Sequence, residues 1–220
     1  MKKKIFCYLI VIVFILFPLK ANALLEGQID YSLPIDYSQL EESELAAAAN
    51  QCYVKAINMG DTAEGKFNRE SAKRYYQLLT DMYPENISYC LKLAIIHDIC
   101  GEDRYAIGYY SKALNLKRKQ AYPFYAFGNF YFKRELYRKA LKYYKKSYQF
   151  GFSNHYYTLK NMAVIYEKLG DTRASLRFYN MLLELTPNDE ELQEKIRLLE
   201  DINATNLLYY QNSRIHFSDK

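Results

Sequence analysis

Residues 121–154 read AYPFYAFGNFYFKRELYRKALKYYKKSYQFGFSN. The stretch divides into two short amphipathic segments joined by a tight turn. The first carries Phe124, Phe127, Gly128 and Tyr131, and the second Ala140, Tyr144 and Ser147. The order is large, large, small, large, then small, large, small. Two antiparallel helices that pack closely need this order, because Gly128 and Ala140 let the backbones approach while aromatic rings fill the space around them. The same pattern recurs on both sides. In 87–120, Cys90, Leu93, Ala94 and His97 precede Ala106, Tyr110 and Ala113. In 156–189, after a one-residue slip, Leu159, Met162, Ala163 and Tyr166 precede Gly170-Asp171, Ser175, Tyr179, Leu182 and Pro187. Further back, Ala72, Tyr76, Leu79 and Pro84 match a second helix alone. Its partner is expected within 42–59, across a long turn at 60–67.

The spacing resembles the tetratricopeptide repeat, with its 34-residue period and W-x2-L-G-x2-Y, A-x3-F, P pattern. Phe124 stands for the Trp, Phe127 for the Leu and Tyr144 for the Phe, while Phe152 replaces the terminal Pro. The resemblance implies an all-α fold, a tetratricopeptide-like helical repeat solenoid, in which helix-turn-helix units form a right-handed superhelix closed by a C-terminal capping helix. The expected organisation is a signal peptide at 1–23, an extended lead-in at 24–41 and an irregular first repeat at 42–86. Repeats follow at 87–120, 121–154 and 156–189, and a capping helix and tail at 190–220. Asn188 or Asp189 can cap that last helix, whose acidic first turn suits the helix dipole. Leu192, Ile196 and Leu199 give it one apolar stripe, and an array needs such a helix to cover its last apolar face. Leu207 and Leu208 in the tail are apolar enough to dock.

The chain starts with Lys2, Lys3 and Lys4, runs apolar from Ile5 to Pro18, and offers small residues at Ala21-Asn22-Ala23. This is the layout of a secretory signal, of bacterial appearance, cleaved after Ala23, the alternative being that it stays on as an uncleaved anchor. The apolar run is shorter than the roughly 20 residues of a membrane span. The expected product is exported to the periplasm, cell envelope or exterior, with no stable membrane insertion after cleavage. Lys2, Lys3, Lys4 and Lys20 leave with the signal, so 30 basic residues fall to 26 against 25 acidic. The overall charge therefore gives no reason to expect nucleic acid. The distribution is uneven, however: residues 112–146 hold eleven basic residues and one acid, Glu135, whereas 184–201 is acidic. Solvated helix faces explain such a run, and so does a basic face meeting an acidic surface or polymer.

No catalytic constellation is present. His97, His155 and His216 are far apart, none in a metal spacing, and His97 occupies a packing position. There is no G-x-S-x-G, no phosphate-cradling glycine loop and no Cys-x-x-C. No enzyme activity, metal or cofactor is expected. Export permits disulfides. Cys90 and Cys100 sit about 15 Å apart along one helix, so Cys52 and Cys90 are the better candidates to pair, the alternative being free, buried thiols acting as small hydrophobes.

The resemblance further implies that first helices line a concave groove. Its candidate partner-binding residues are Lys92 and Ile95 in one repeat, Tyr122, Tyr125, Asn129, Phe132 and Lys133 in the next, and Tyr157, Lys160, Asn161 and Lys168 in the third. Tyr125, Asn129 and Phe132 share one helix face, expected to be free of packing duties. Some family members clamp a C-terminal carboxylate with Lys and Asn on consecutive repeats. Asn129 and Asn161 fit two of those positions, but Tyr125 replaces the first Lys, so that clamp is incomplete. The functional expectation is a scaffold or interaction module holding a protein or peptide segment in its groove. The alternative is a structural subunit of a multiprotein envelope assembly, using its edges and a basic convex face at Arg138, Lys139, Lys142, Lys145 and Lys146.

Overall fold

A computed structural model describes residues 41–117 and 119–218, with side chains to residue 208. The signal and lead-in readings fall outside the described residues. Those residues are helical with short connections: α1 (Glu42–Asn58), α2 (Ala63–Met82), α3 (Ile87–Ile99), α4 (Asp103–Leu116), α5 (Ala121–Lys133), α6 (Tyr137–Ser147), α7 (Tyr156–Lys168), α8 (Thr172–Leu185) and α9 (Glu190–Ser218). None of them is long and apolar enough to cross a membrane. Two compact units, Met1–Lys112 and Ala113–Lys220, divide the chain within α4.

In the first unit α1 packs along α2, and α2 against α3. Leu45, Ala48, Ala49, Cys52 and Ala56 of α1 meet Ala72, Tyr75, Tyr76 and Leu79 of α2, with Leu93 and Ile96 from α3. The small α1 residues leave room for the buried Tyr75 and Tyr76 of α2. The turn between α1 and α2 corrects the sequence reading, which stretched it over 60–67. The helix begins at Ala63 because Thr62 caps it, its hydroxyl accepting from the Gly65 amide at 3.0 Å. Buried Arg69 donates to the Gly60 carbonyl and to Asp61 Oδ1 at 2.9 Å, which pins the turn shut. Gly65 is not a loop glycine. A Cβ there would stand 2.3 Å from the Gly60 carbonyl oxygen, so only glycine admits the close return of the chain.

His97 is buried in the same unit. Its ring lies between Tyr105 and Tyr109, at 5.3 and 5.4 Å, and its Nδ1 meets the Glu102 carboxylate. Glu102 also accepts from Lys73 Nζ at 2.9 Å, and that bond first of all holds its carboxyl below the usual range. Cys52, Cys90 and Cys100 are free thiols, each pushed up by burial.

In the second unit α5 pairs with α6, α7 with α8, and α9 closes onto α8. Gly128 does what its position demands. A Cβ there would stand 2.8 Å from Cε1 of Tyr144, so the α6 ring lies directly on the α5 backbone. Ala140 is fully buried. Glu135, at φ 57°, makes the left-handed turn between the pair. After Ser147 the helix widens through Tyr148–Phe152 and breaks at Gly151, whose φ is 127°. The α9 helix starts where Asp189 accepts from the Leu192 amide at 3.0 Å, and Leu192, Ile196 and Leu199 are buried. Its end departs from expectation. The helix continues to Ser218, and Leu207 and Leu208 are exposed rather than docked.

Candidate functional site

The two first helices of the second unit, α5 and α7, carry most of the candidate groove residues. They are joined by three polar side chains. Tyr144, from α6, donates its hydroxyl to Asn129 Oδ1 at 2.6 Å. Asn161 Nδ2, from α7, donates to the same Tyr144 oxygen at 2.9 Å and to Asn129 Oδ1 at 3.3 Å. Burial raises the Tyr144 pKa, so this hydroxyl stays protonated and donates at all ordinary pH. Asn129 Nδ2 and Asn161 Oδ1 are left over, one donor and one acceptor, which is the pair a peptide unit would use.

A belt of rings runs beside this floor. Tyr122 touches Tyr125 at 6.3 Å, Tyr125 meets His155 edge-on at 4.9 Å, and His155 lies 6.0 Å from Tyr157, which abuts Tyr156 at 5.2 Å. Tyr122 is 50% exposed and Tyr157 58% exposed, so the belt offers aromatic surface at both ends. Lys160 is exposed, with Nζ 5.8 Å over the Tyr156 ring, and Lys133 and Lys168 are exposed at the far ends of α5 and α7. Tyrosine provides large contact area at low entropic cost.

The expectation that Tyr125, Asn129 and Phe132 stand free of packing is corrected here. Tyr125 rests on Tyr144, Phe152 and His155, and Phe132 on Tyr137 and Tyr144. Asn129 bonds across to the next repeat. All three are half-buried. They hold the repeats together and are only partly open to solvent, whereas Tyr122 and Tyr157 are exposed. Lys92 and Ile95 belong to the first unit. Lys92 Nζ donates to Asn50 Oδ1 at 2.6 Å and lies 5.5 Å over both Tyr53 and Tyr76, while burial lowers its pKa; Ile95 is half-buried.

The sequence reading missed His155. It caps α7, its Nδ1 accepting from the Thr158 amide at 3.3 Å, and stacks on Phe152 at 4.3 Å. Burial lowers its pKa, which keeps the ring neutral and able to accept. Its place just before the apolar positions of a repeat was the available signal, but histidine is not among the favoured caps.

No protein-family model matches the chain. It is 28% identical over 170 residues to a TPR repeat-containing protein of Methanocaldococcus jannaschii, a match that takes in 72% of this chain and 30% of that relative's length. Among solved structures it resembles MamA, with a TM-score of 0.55 at 17% identity over 74% of this chain and 90% of that one. It also resembles YrrB, described as a TPR protein with an unusual peptide-binding site, with a TM-score of 0.58 at 16% identity over 84% and 87%. The Naa15/Naa10 complex bound to HypK-THB gives a TM-score of 0.60 at 15% identity, over 78% of this chain and 25% of that one. The chain therefore has the fold of the tetratricopeptide-like helical repeat solenoids.

Proposed function

We propose that this chain is a non-enzymatic protein–protein interaction module, and that the α5–α7 face of its second unit holds an extended segment of a partner protein. The observation that carries this reading is the pairing of an amide floor with an exposed aromatic belt. Asn129 and Asn161 spend half of their hydrogen-bonding capacity on Tyr144 and on each other, and keep the Asn129 amide NH2 and the Asn161 amide oxygen in reserve. Tyr122 and Tyr157 flank them with aromatic surface of which about half stays open to solvent. Backbone recognition by amides and side-chain contact by tyrosines suit an extended peptide, and exposed lysines at the rim favour one with some negative charge. That a structural relative, YrrB, is described as having a peptide-binding site is consistent with this use of the fold.

The module acts outside the cytoplasm in this reading, with the mature protein beginning at Leu24. N-terminal sequencing tests it, and an intact Met1 on membrane-bound protein refutes it. The binding reading is tested with Tyr122→Ala plus Tyr157→Ala. Both side chains are exposed, so the fold should melt as before. Capture of a partner from an envelope fraction should be lost, and affinity for the purified partner should fall by at least about 2 kcal/mol. Undiminished affinity removes this face from consideration.

A further inference from the structure

The second unit also carries two surfaces of opposite charge, one on α6 and one on α9. On α6, Arg138, Lys139, Lys142, Lys145 and Lys146 are all exposed. At 3.6 residues per turn they fall within an arc of about 120°. Among the described residues none of the five has a carboxylate partner, and three rest over rings instead: Lys139 over Tyr131, Lys145 over Tyr166 and Lys146 over Phe124. Lys145 also borders a cleft of about 510 Å³ between α6, α7 and α8, where Arg173 and Arg177 add two more cations. The floor of the cleft is aromatic, with Tyr166 stacked on Phe178 at 5.5 Å and Tyr148 edge-on to Phe178. Its carboxylate, Asp171, is committed to capping α8 through the Ala174 amide.

The counterpart is on α9. Leu192, Ile196 and Leu199 are buried, and the opposite side of the helix is open, with Glu191, Glu194 and Leu198 bordering a cleft of about 570 Å³ beside Tyr156 and Lys160. That side carries Glu190, Glu191, Glu194, Leu198, Asp201 and Ile202, again within about 120°. Leu198 is 53% and Ile202 50% exposed. The two cations of this stretch are already paired, Lys195 with Glu167 at 2.6 Å and Arg197 with Glu194 at 3.0 Å. An acidic helix face with two exposed aliphatic side chains toward its C-terminal end matches a basic cleft with an aromatic floor.

We infer that this chain associates head to tail with a second copy of itself, the acidic outer face of α9 docking on the basic face of α6 and its cleft. The contact joins different surfaces of the two copies, so it leaves a free α9 at one end and a free α6 at the other, and chains can add at both. Leu198 and Ile202 supply the apolar part of the contact, set against Tyr166 and Phe178, and the charges supply orientation and rate.

The test is analytical ultracentrifugation of the full chain and of two charge-reversed variants, Lys142→Glu with Lys145→Glu, and Glu191→Lys with Asp201→Lys. All four side chains are exposed, and unchanged melting verifies the fold. The wild-type chain should grow in mass with concentration at low salt and return toward a single chain near 1 M salt, where the screening length is about 3 Å. Each variant alone should associate about tenfold more weakly or less. An equimolar mixture should restore growth as chains in which the two variants alternate, because the unaltered α9 of one meets the unaltered α6 of the other and the reversed α9 meets the reversed α6, while like variants repel. Three results overturn the inference: a wild-type chain that stays single at every concentration, association that persists unchanged in both variants, or association lost only in the α6 variant. The last would mean that some acidic surface other than α9 occupies the basic face.

Discussion

Replacing Gly128 by alanine sets two effects of known sign against each other. In a helix interior alanine is favoured over glycine by about 0.5–1 kcal/mol, so on propensity alone the change stabilises. At Gly128, however, the new methyl lands 2.8 Å from Cε1 and 2.9 Å from Cδ1 of Tyr144. Overpacking of this kind costs about 1–3 kcal/mol. The ring cannot swing aside cheaply, because its hydroxyl is fixed to Asn129 and Asn161, and each of those bonds contributes about 1 kcal/mol. The expected net loss is about 1–2 kcal/mol. Gly108, inside α4, is the internal control: a Cβ there meets nothing within 4 Å, so Gly108→Ala should stabilise by about 0.5–1 kcal/mol. Urea unfolding followed by far-ultraviolet circular dichroism gives both shifts, and hydrogen exchange assigns the loss to α5 and α6. A Gly128→Ala chain with a raised midpoint, like that of Gly108→Ala, would refute the close approach of Tyr144 to the α5 backbone.

Ala140→Leu should cost about 1–3 kcal/mol through overpacking of a fully buried site, and the loss should spread to α7 and α8 because repeats lean on their neighbours; an unchanged melting temperature counts against it. His155 has a folded pKa depressed below its ordinary value by burial. Its contribution is therefore fully present above about pH 6.5 and is lost as pH falls through the depressed value, when protonation of Nδ1 ends acceptance from the Thr158 amide. His155→Asn keeps a capping side chain and should abolish this part of the acid sensitivity; an identical pH profile of stability in both chains would assign it elsewhere. Glu102 behaves in the same direction at lower pH. Its carboxyl is held down by Lys73, so stability from that contact is present above the ordinary carboxylate range and lost on acidification through the lowered value, a loss that Glu102→Gln should remove from the acid limb of the melting profile.

The repeat architecture was legible because it is written in local spacing. Gly128, Ala140 and Ser147 must be small wherever two helices of this period touch, and their recurrence in phase is enough to pair the helices. The cap of the last helix was legible to within one residue, Asn188 or Asp189, and it is Asp189 that accepts from the Leu192 amide. The misreadings arose where a residue type has two uses. Gly65 reads as a loop former, yet it is glycine because the chain returns within 2.3 Å of where a Cβ would be. Leu207 and Leu208 read as a docking tail, yet the helix carries on past the last helix that could cover them. The Asn129–Tyr144–Asn161 triad was the least accessible. Its members are 15 and 17 residues apart, and no local rule says that a tyrosine filling one repeat also bonds to the next.

That triad determines which substitutions can separate binding from folding. Tyr144 lies on Gly128 with its ring and ties α5 to α7 with its hydroxyl, so the same side chain sets the helix spacing and orients the two amides of the candidate face. Removing Asn129 or Asn161 would strip an amide of the candidate face and leave a buried tyrosine hydroxyl short of a partner, a penalty of about 1–3 kcal/mol that would appear as lost stability. Loss of binding in such a variant would not distinguish recognition from unfolding. Tyr122 and Tyr157 lie at the exposed ends of the ring belt and carry none of that hydrogen bonding. A binding defect confined to them, with α5 and α6 still protected from exchange, is therefore the result that isolates the face as a recognition surface.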